Sequence, residues 1–100
     1  MTQLPIPIDQ KKIEDCCKKY HIRYLALFGS VLTSRFSSKS DVDILVKFYR
    51  QHIPGLFGVF AIQEELSVIV GREVDLKTPK GLSRYFRAEV LAKARVLYGK

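Results

Sequence analysis

The chain has 100 residues, 47% of them hydrophobic, and a formal net charge of +7 at pH 7. This length supports one hydrophobic core, so we expect a single domain over residues 1–100. No apolar run reaches the roughly 18–20 residues that span a bilayer, and the N-terminus lacks the pattern of a secretory signal. The two cysteines are neighbours in sequence, which is poor geometry for a disulfide. The composition therefore excludes a membrane protein or a disulfide scaffold and predicts a soluble cytoplasmic protein.

The positive charge favours anionic partners, such as nucleotides, nucleic acid or an acidic protein surface. The basic residues are dispersed, however, and the sequence has no run of five like charges. Basic composition without a visible basic groove is weak evidence for nucleic-acid binding. The net charge therefore favours an anionic partner but does not distinguish a nucleotide, a nucleic acid and an acidic protein surface from one another.

The first predicted elements are an extended segment and a helix. Pro5 and Pro7 predict that residues 1–8 run extended over the surface. Asp9 can cap a helix that continues through about His21. Apolar positions at helical spacing predict its core-facing stripe, which consists of Ile13, Cys16, Cys17 and Tyr20. The cysteines are thus interpreted as small buried hydrophobic residues.

Three later segments have the pattern of β-strands. Residues 24–28 are a short apolar run ended by Gly29. Residues 41–48 alternate at first and then become almost continuously apolar, as a central strand does. Residues 72–78 form a third candidate strand, stopped by Pro79.

Two further helices are predicted around the third strand. One lies between Pro54 and Gly71, and its expected buried face consists of Val59, Ile62, Leu66 and Ile69. The other starts at Ser83, with an expected apolar face of Phe86, Val90, Ala94 and Leu97, and "RVLY" at its end is a candidate short strand. This alternation predicts an α/β (α+β) fold with a small mixed β-sheet and helices packed on it.

Three aspartates stand at matching positions on two of the predicted strands. Side chains alternate along a strand, so Asp41 and Asp43 project from one face while Val42 and Ile44 project from the other. Asp75 repeats this arrangement on the third strand. If the two strands are neighbours, the carboxylates meet on one patch, where they repel one another and resist desolvation. A divalent cation relieves both effects, and oxygen ligands suit magnesium, although each aspartate taken singly fits a solvent-facing role.

Gly29 and Ser30 directly follow the first predicted strand. A glycine here lets the backbone turn tightly and lets a phosphate approach with no Cβ in the way. If Ser30 opens a short helix ("SVLT"), its free backbone amides and its hydroxyl form an anion site. A Gly-Ser pair is common in loops, so its place one loop before the Asp-x-Asp pair is the informative feature.

Together these motifs resemble the DNA polymerase beta-type nucleotidyltransferase superfamily: "GS", ten residues, "DVD" on an apolar strand, and a later single aspartate in "REVDL". More narrowly, the chain resembles the minimal nucleotidyltransferases (MNT) over almost its whole length. The resemblance implies a polymerase beta-like palm in which Gly29 and Ser30 hold a nucleoside triphosphate. It also implies that Asp41 and Asp43 bind metal ions, and that Asp75 is the third acid, a metal ligand that helps to activate the attacking hydroxyl.

The resemblance further implies a function and a partner. MNT proteins are commonly the antitoxins of two-gene modules whose other product is a HEPN-domain toxin, an all-helical RNase. This implies transfer of AMP from ATP to a hydroxyl of that toxin, with tyrosine as the best candidate and two Mg²⁺ ions as cofactors. Two alternatives stay open: a non-catalytic antitoxin that neutralises the toxin by complex formation, and nucleotidyl transfer to nucleic acid. The small size favours a protein acceptor, because a palm alone has nothing with which to grip a duplex or a tRNA.

The sequence departs from the family pattern in the loop that follows Ser30. Many relatives have Arg-Gly where this chain has "LTSRF", and they often carry acids at the positions of Lys39 and Lys47. Arg35 is a candidate phosphate contact whose place the sequence does not fix. These differences from the family pattern affect the expected substrate more than the expected reaction.

Overall fold

Helices and strands alternate along residues 4–99, the part of the chain that the computed structural model describes. The helices are α1 (Gln10–Lys19), α2 (Leu56–Val70) and α3 (Arg84–Lys93). The strands are β1 (Ile22–Phe28), β2 (Val42–Phe48), β3 (Val74–Lys77) and β4 (Arg95–Gly99). Within these residues, no helix has both the length and the apolar character needed to cross a bilayer.

The strands form one mixed sheet in the order β3-β2-β1-β4. The central strand β1 is antiparallel to β2 and to β4, whereas β2 and β3 are parallel and are joined through α2. A parallel pair requires such a crossover connection. The α/β class and the mixed sheet predicted from the sequence are confirmed.

Several element boundaries differ from the predicted ones. β1 begins at Ile22, two residues earlier than expected, and β3 is confined to Val74–Lys77. β2 begins at Val42, so Asp41 lies in the preceding loop. The final segment is a strand, which pairs with β1 at the edge of the sheet.

The main core lies between one face of the sheet and helices α1 and α2. Asp9 caps α1 as predicted, since its side chain accepts a hydrogen bond from the Lys12 amide. Of the stripe predicted on α1, all but Tyr20 are buried, and Tyr20 is half-buried. The buried residues of α2 are Ile62, Leu66 and Val70, whereas the predicted Val59 and Ile69 are only half-buried.

The segment before α1 corrects one expectation. Residues 1–3 lie outside the described part of the chain. In the part that is described, Ile6 is buried in the main core, and Leu4 and Ile8 pack against it. The segment therefore contributes to the core instead of only running over the surface, because burial of Ile6 among the apolar side chains of this core is favourable.

The opposite face of the sheet is only partly covered. Its apolar cluster consists of Tyr24, Ala26, Phe28 and Leu45, against which α3 and the preceding loop place Leu82, Val90, Leu91 and Ala94. No residue of α3 is fully buried, and Phe86, which was predicted to face the core, is 61% exposed. That prediction was wrong, because a short helix over half of a sheet face leaves part of its apolar stripe outside.

Candidate functional site

A tight turn follows β1 at the position predicted for phosphate binding. Gly29 has a positive φ of 78° and starts a 3-10 turn, Gly29–Leu32. The backbone amide and the hydroxyl of Thr33 both donate to the Ser30 carbonyl at 2.9 Å, which closes the turn. The short helix predicted after Gly29 is therefore present in 3-10 form.

Gly29 also lies against an acidic side chain. A Cβ placed on this residue would overlap the Oδ2 atom of Asp43. The positive φ and this close approach both require glycine, so the turn and the carboxylate fit together as one unit. Phosphate access is the reason for glycine that the sequence predicts at this position, and the close approach of Asp43 is a second reason.

The sheet brings the candidate aspartates to one region. In the parallel pair, Asp43 lies opposite Asp75, and across the antiparallel pair it lies opposite Phe28. Because side chains alternate, Asp43 and Asp75 project from the same face as Leu45, which is the face that α3 partly covers. Asp41 is exposed in the loop just before β2. The predicted adjacency of the second and third strands is thus observed.

The three carboxylates interact electrostatically. Burial raises the pKa of Asp43, the negative charges of Asp75 and Asp41 raise it further, and the Lys77 ammonium opposes them. Lys77 Nζ lies 3.6 Å from Asp75 Oδ2. A site that holds carboxylates together against their repulsion favours a cation beside them.

Carboxylate oxygens are the donors that magnesium prefers, so the chemistry of the donor set fits this ion. However, residues 4–99 contain no group of three His, Cys, Asp or Glu side chains already arranged to hold a metal ion. The assignment of Asp41, Asp43 and Asp75 as metal ligands therefore stays a prediction.

Arg72 supports the site from outside it, and the sequence analysis did not single it out. Its Nη2 donates to the carbonyls of Ser37 and Ser40 at 2.7 and 2.5 Å, and its guanidinium stacks 4.6 Å from the centre of the Phe36 ring. These contacts fasten the loop that leads into Asp41. The only sequence signal was a lone arginine just after a helix-ending glycine.

Two polar residues of α2 fix the edge strand that carries Asp75. Ser67 Oγ accepts a hydrogen bond from the Val74 amide, and Gln63 Oε1 accepts one from the Leu76 amide, each at 3.0 Å. An exposed strand edge otherwise presents unpaired amides. Asp75 is therefore held between β2 on one side and α2 on the other.

The lysines at which the sequence departs from its relatives are not part of this acid group. Lys47 Nζ lies 4.5 Å from the centre of the Tyr24 ring, further along the same face of the sheet. Lys39 is exposed in the loop, where its amide donates to Ser37 Oγ. Neither residue forms an ion pair within residues 4–99.

A carboxylate pair beside a turn that begins with glycine is suited to binding phosphate groups together with a hard cation. The family model described as "Polymerase beta, Nucleotidyltransferase" matches residues 11–100. The chain belongs to this nucleotidyltransferase family, as its motifs predicted.

Two relatives illustrate the similarity. The candidate protein adenylyltransferase MJ0128 of Methanocaldococcus jannaschii is 39% identical over 59% of this chain and 58% of its own length. The protein adenylyltransferase MntA of Thermococcus cleftensis is 32% identical over 74% of this chain and 73% of its own length. The match to MJ0128 therefore spans less than two thirds of that relative.

Solved structures share the fold. A candidate minimal nucleotidyltransferase superimposes with a TM-score of 0.70 at 26% identity and covers 85% of both chains. A toxin–antitoxin structure with AMP-PNP gives a TM-score of 0.72 at 20% identity, covering 93% of this chain and 75% of the other. A complex of MNT antitoxin with tri-AMPylated HEPN toxin from Shewanella oneidensis gives 0.63 at 20% identity, covering 91% and 70%. The minimal nucleotidyltransferase fold is thereby confirmed.

Proposed function

We propose that this protein is a magnesium-dependent protein adenylyltransferase that moves AMP from ATP to a hydroxyl of a partner protein. The observation that carries the proposal is the contact between the Gly29 turn and Asp43, which itself lies opposite Asp75. Phosphate-binding backbone and metal-binding carboxylates must be adjacent for nucleotidyl transfer, since the same phosphates contact both. Relatives named protein adenylyltransferase support the choice of reaction.

Each residue of the site has a proposed role. Gly29 and Ser30 would bind the triphosphate through the turn. Asp41, Asp43 and Asp75 would hold Mg²⁺, and Asp75 would also help to activate the attacking hydroxyl. Bound Mg²⁺ would supply charge neutralisation for the departing pyrophosphate and would acidify the hydroxyl. The protein contributes position and charge, because phosphoryl-type transfer needs little covalent chemistry from the enzyme.

The proposed partner is a HEPN-domain toxin, and a tyrosine is the proposed acceptor. The structural neighbours include MNT antitoxins in complexes with HEPN toxins, one of them AMPylated. Modification of the toxin would make this chain an antitoxin. The open face beside α3 leaves the aspartates accessible to a residue that a partner brings.

One observation favours a second candidate, an antitoxin that acts by binding alone. Lys77 forms an ion pair with Asp75, so a cationic side chain already lies beside this carboxylate. A binding antitoxin would need neither ATP nor magnesium.

The two functions are separated by a transfer assay. Purified protein is incubated with α-labelled ATP, magnesium and the product of the neighbouring gene, and label on the partner is counted. We expect transfer by the unaltered protein and none by Asp43→Asn. Asp15→Asn is the matched control, because Asp15 is an exposed aspartate of α1 whose only ion pair within residues 4–99 is with Lys11. Absence of label with every protein, while the toxin is still neutralised, would favour the binding antitoxin.

A further inference from the structure

A cavity of about 710 Å³ opens beside the Gly29 turn. Gly29 and Ser30 line one end of it, and α3 lines another part through Phe86 and Val90. Its volume is in the range of pockets that bind small molecules, about 300–1,000 Å³. The cavity therefore continues the proposed phosphate site toward α3.

The apolar part of the cavity lining includes the aromatic ring of Phe86. Phe86 is 61% exposed although α3 has sheet to pack against. Within residues 4–99, no other ring and no cationic side chain stacks on it. Phe28 and Leu32 complete this apolar part of the lining. An exposed ring at the side of a cavity can stack on a planar ligand.

Three charged residues line the cavity, namely Arg35, Glu89 and Lys93. Lys93 and Glu89 both line it and pair with each other at 2.9 Å. Arg35 also lines it, and its guanidinium makes no hydrogen bond or ion pair with the described residues. The Arg35 amide donates to Thr33 Oγ1, which ties this residue to the same turn as Ser30. The cavity thus offers an unpaired positive charge near the proposed phosphate site.

We propose that this cavity is the nucleoside subsite, in which the base of the nucleotide stacks on Phe86 and Arg35 contacts its phosphate chain. The inference rests on the proposed function, since it assumes a nucleotide whose phosphates lie on Gly29 and Ser30. The base and the phosphates are then recognised by different elements, α3 and the loop after β1. Recognition of the base is mainly by stacking, which every base can provide.

Binding of two ligands tests this division. ATP carries a base, whereas inorganic tripolyphosphate has only the phosphate chain, so each is titrated with magnesium by calorimetry. Phe86→Ala should weaken ATP binding roughly 5- to 150-fold, the range of one lost base–aromatic stack, and should leave tripolyphosphate binding unchanged. Phe86→Tyr should keep ATP binding. Arg35→Gln should weaken both ligands by up to about tenfold.

Matched controls come from the same chain. Tyr85 is the neighbouring aromatic residue of α3 and is 79% exposed, but it does not line the cavity, so Tyr85→Ala should bind both ligands normally. Arg50 lies beyond the far end of β2, so Arg50→Gln should also bind normally.

Three results would overturn the inference. Equal affinity of the unaltered protein for ATP and tripolyphosphate would mean that no subsite holds the base. Normal ATP binding by Phe86→Ala would refute the role of this ring and leave the proposed function intact. No binding of ATP by the unaltered protein would refute the inference and the proposed function together.

Discussion

Replacing Gly29 with alanine tests whether the turn and Asp43 act as one unit. The backbone at Gly29 has a φ of 78°, where a residue with a Cβ costs about 1–2 kcal/mol. For a domain of this size that cost lowers Tm by roughly 4–16 °C. The new methyl group would also overlap the Asp43 carboxylate and force it to move. The carboxylate can move because it is the end of a flexible side chain.

Gly71 provides a control with the same backbone strain. Its φ is 72°, it ends α2, and a Cβ at this position would meet no atom within 4 Å. Gly71→Ala should therefore lose about the same 1–2 kcal/mol of stability as Gly29→Ala. It should not move Asp43.

The two variants should differ in activity. A displacement of a catalytic group by about 1 Å can reduce a rate by about 100-fold, so we expect a loss of this order for Gly29→Ala. For Gly71→Ala we expect a rate within about twofold of the unaltered protein, measured below both Tm values, because its strain does not reach the site. The assays are thermal unfolding by circular dichroism and transfer of labelled AMP. Equal losses of activity in the two variants, or full activity in Gly29→Ala, would show that the turn and Asp43 do not act as one unit.

Three further predictions concern the stability of the fold. Arg72→Ala removes hydrogen bonds to two loop carbonyls and should destabilise the protein by about 1–3 kcal/mol; calorimetric unfolding measures this, and an unchanged Tm would contradict it. The pKa of Asp43 is raised in the folded state, so its ionised form destabilises the fold above that pKa. Asp43→Asn should therefore be at least as stable as the unaltered protein at pH 7, with any gain vanishing in acid; a clear loss of stability at pH 7 would show that the carboxylate stabilises the fold. Burial raises the pKa of the Cys17 thiol from 9.0 to about 12, so its contribution to stability is complete below pH 9.0 and declines as pH rises toward 12. The difference in unfolding free energy between the unaltered protein and Cys17→Ala should shrink over that window, and a constant difference would argue against a buried thiol.

Most of the correct predictions from the sequence rest on short-range patterns, namely the spacing of apolar residues along strands and helices. Period-two alternation placed Asp43 and Asp75 on one face of their strands, and the observed pairing of these residues follows once β2 and β3 are neighbours. Helical spacing likewise identified Ile13, Cys16 and Cys17 as the buried side of α1. Such periodicities follow from backbone geometry, which does not depend on distant contacts.

Features that depend on distant contacts escaped prediction. The reach of Arg72 to Ser40 spans 32 residues, and nothing in the local sequence shows which carbonyls it meets. The exposure of Phe86 depends on how far α3 extends over the sheet, which helical spacing does not specify. The burial of Ile6 similarly depends on core residues that later helices and strands supply.

Catalytic neutralisation of the partner differs from neutralisation by binding in its dose dependence, so a dose experiment distinguishes the two. The proposed partner toxin is treated with this protein, magnesium and ATP, with this protein at a molar ratio far below one. The two proteins are then separated, and the activity and mass of the toxin are measured. The Asp41→Asn/Asp43→Asn double variant, which keeps side-chain shape and removes two charges, is run in parallel. We expect a small amount of unaltered protein to silence the excess toxin, and this silencing should persist after separation together with an added adenylyl group on the toxin. The double variant should show neither effect. Silencing only at equal molar ratio, equally strong with the double variant, independent of ATP and without a change in toxin mass would contradict catalytic neutralisation.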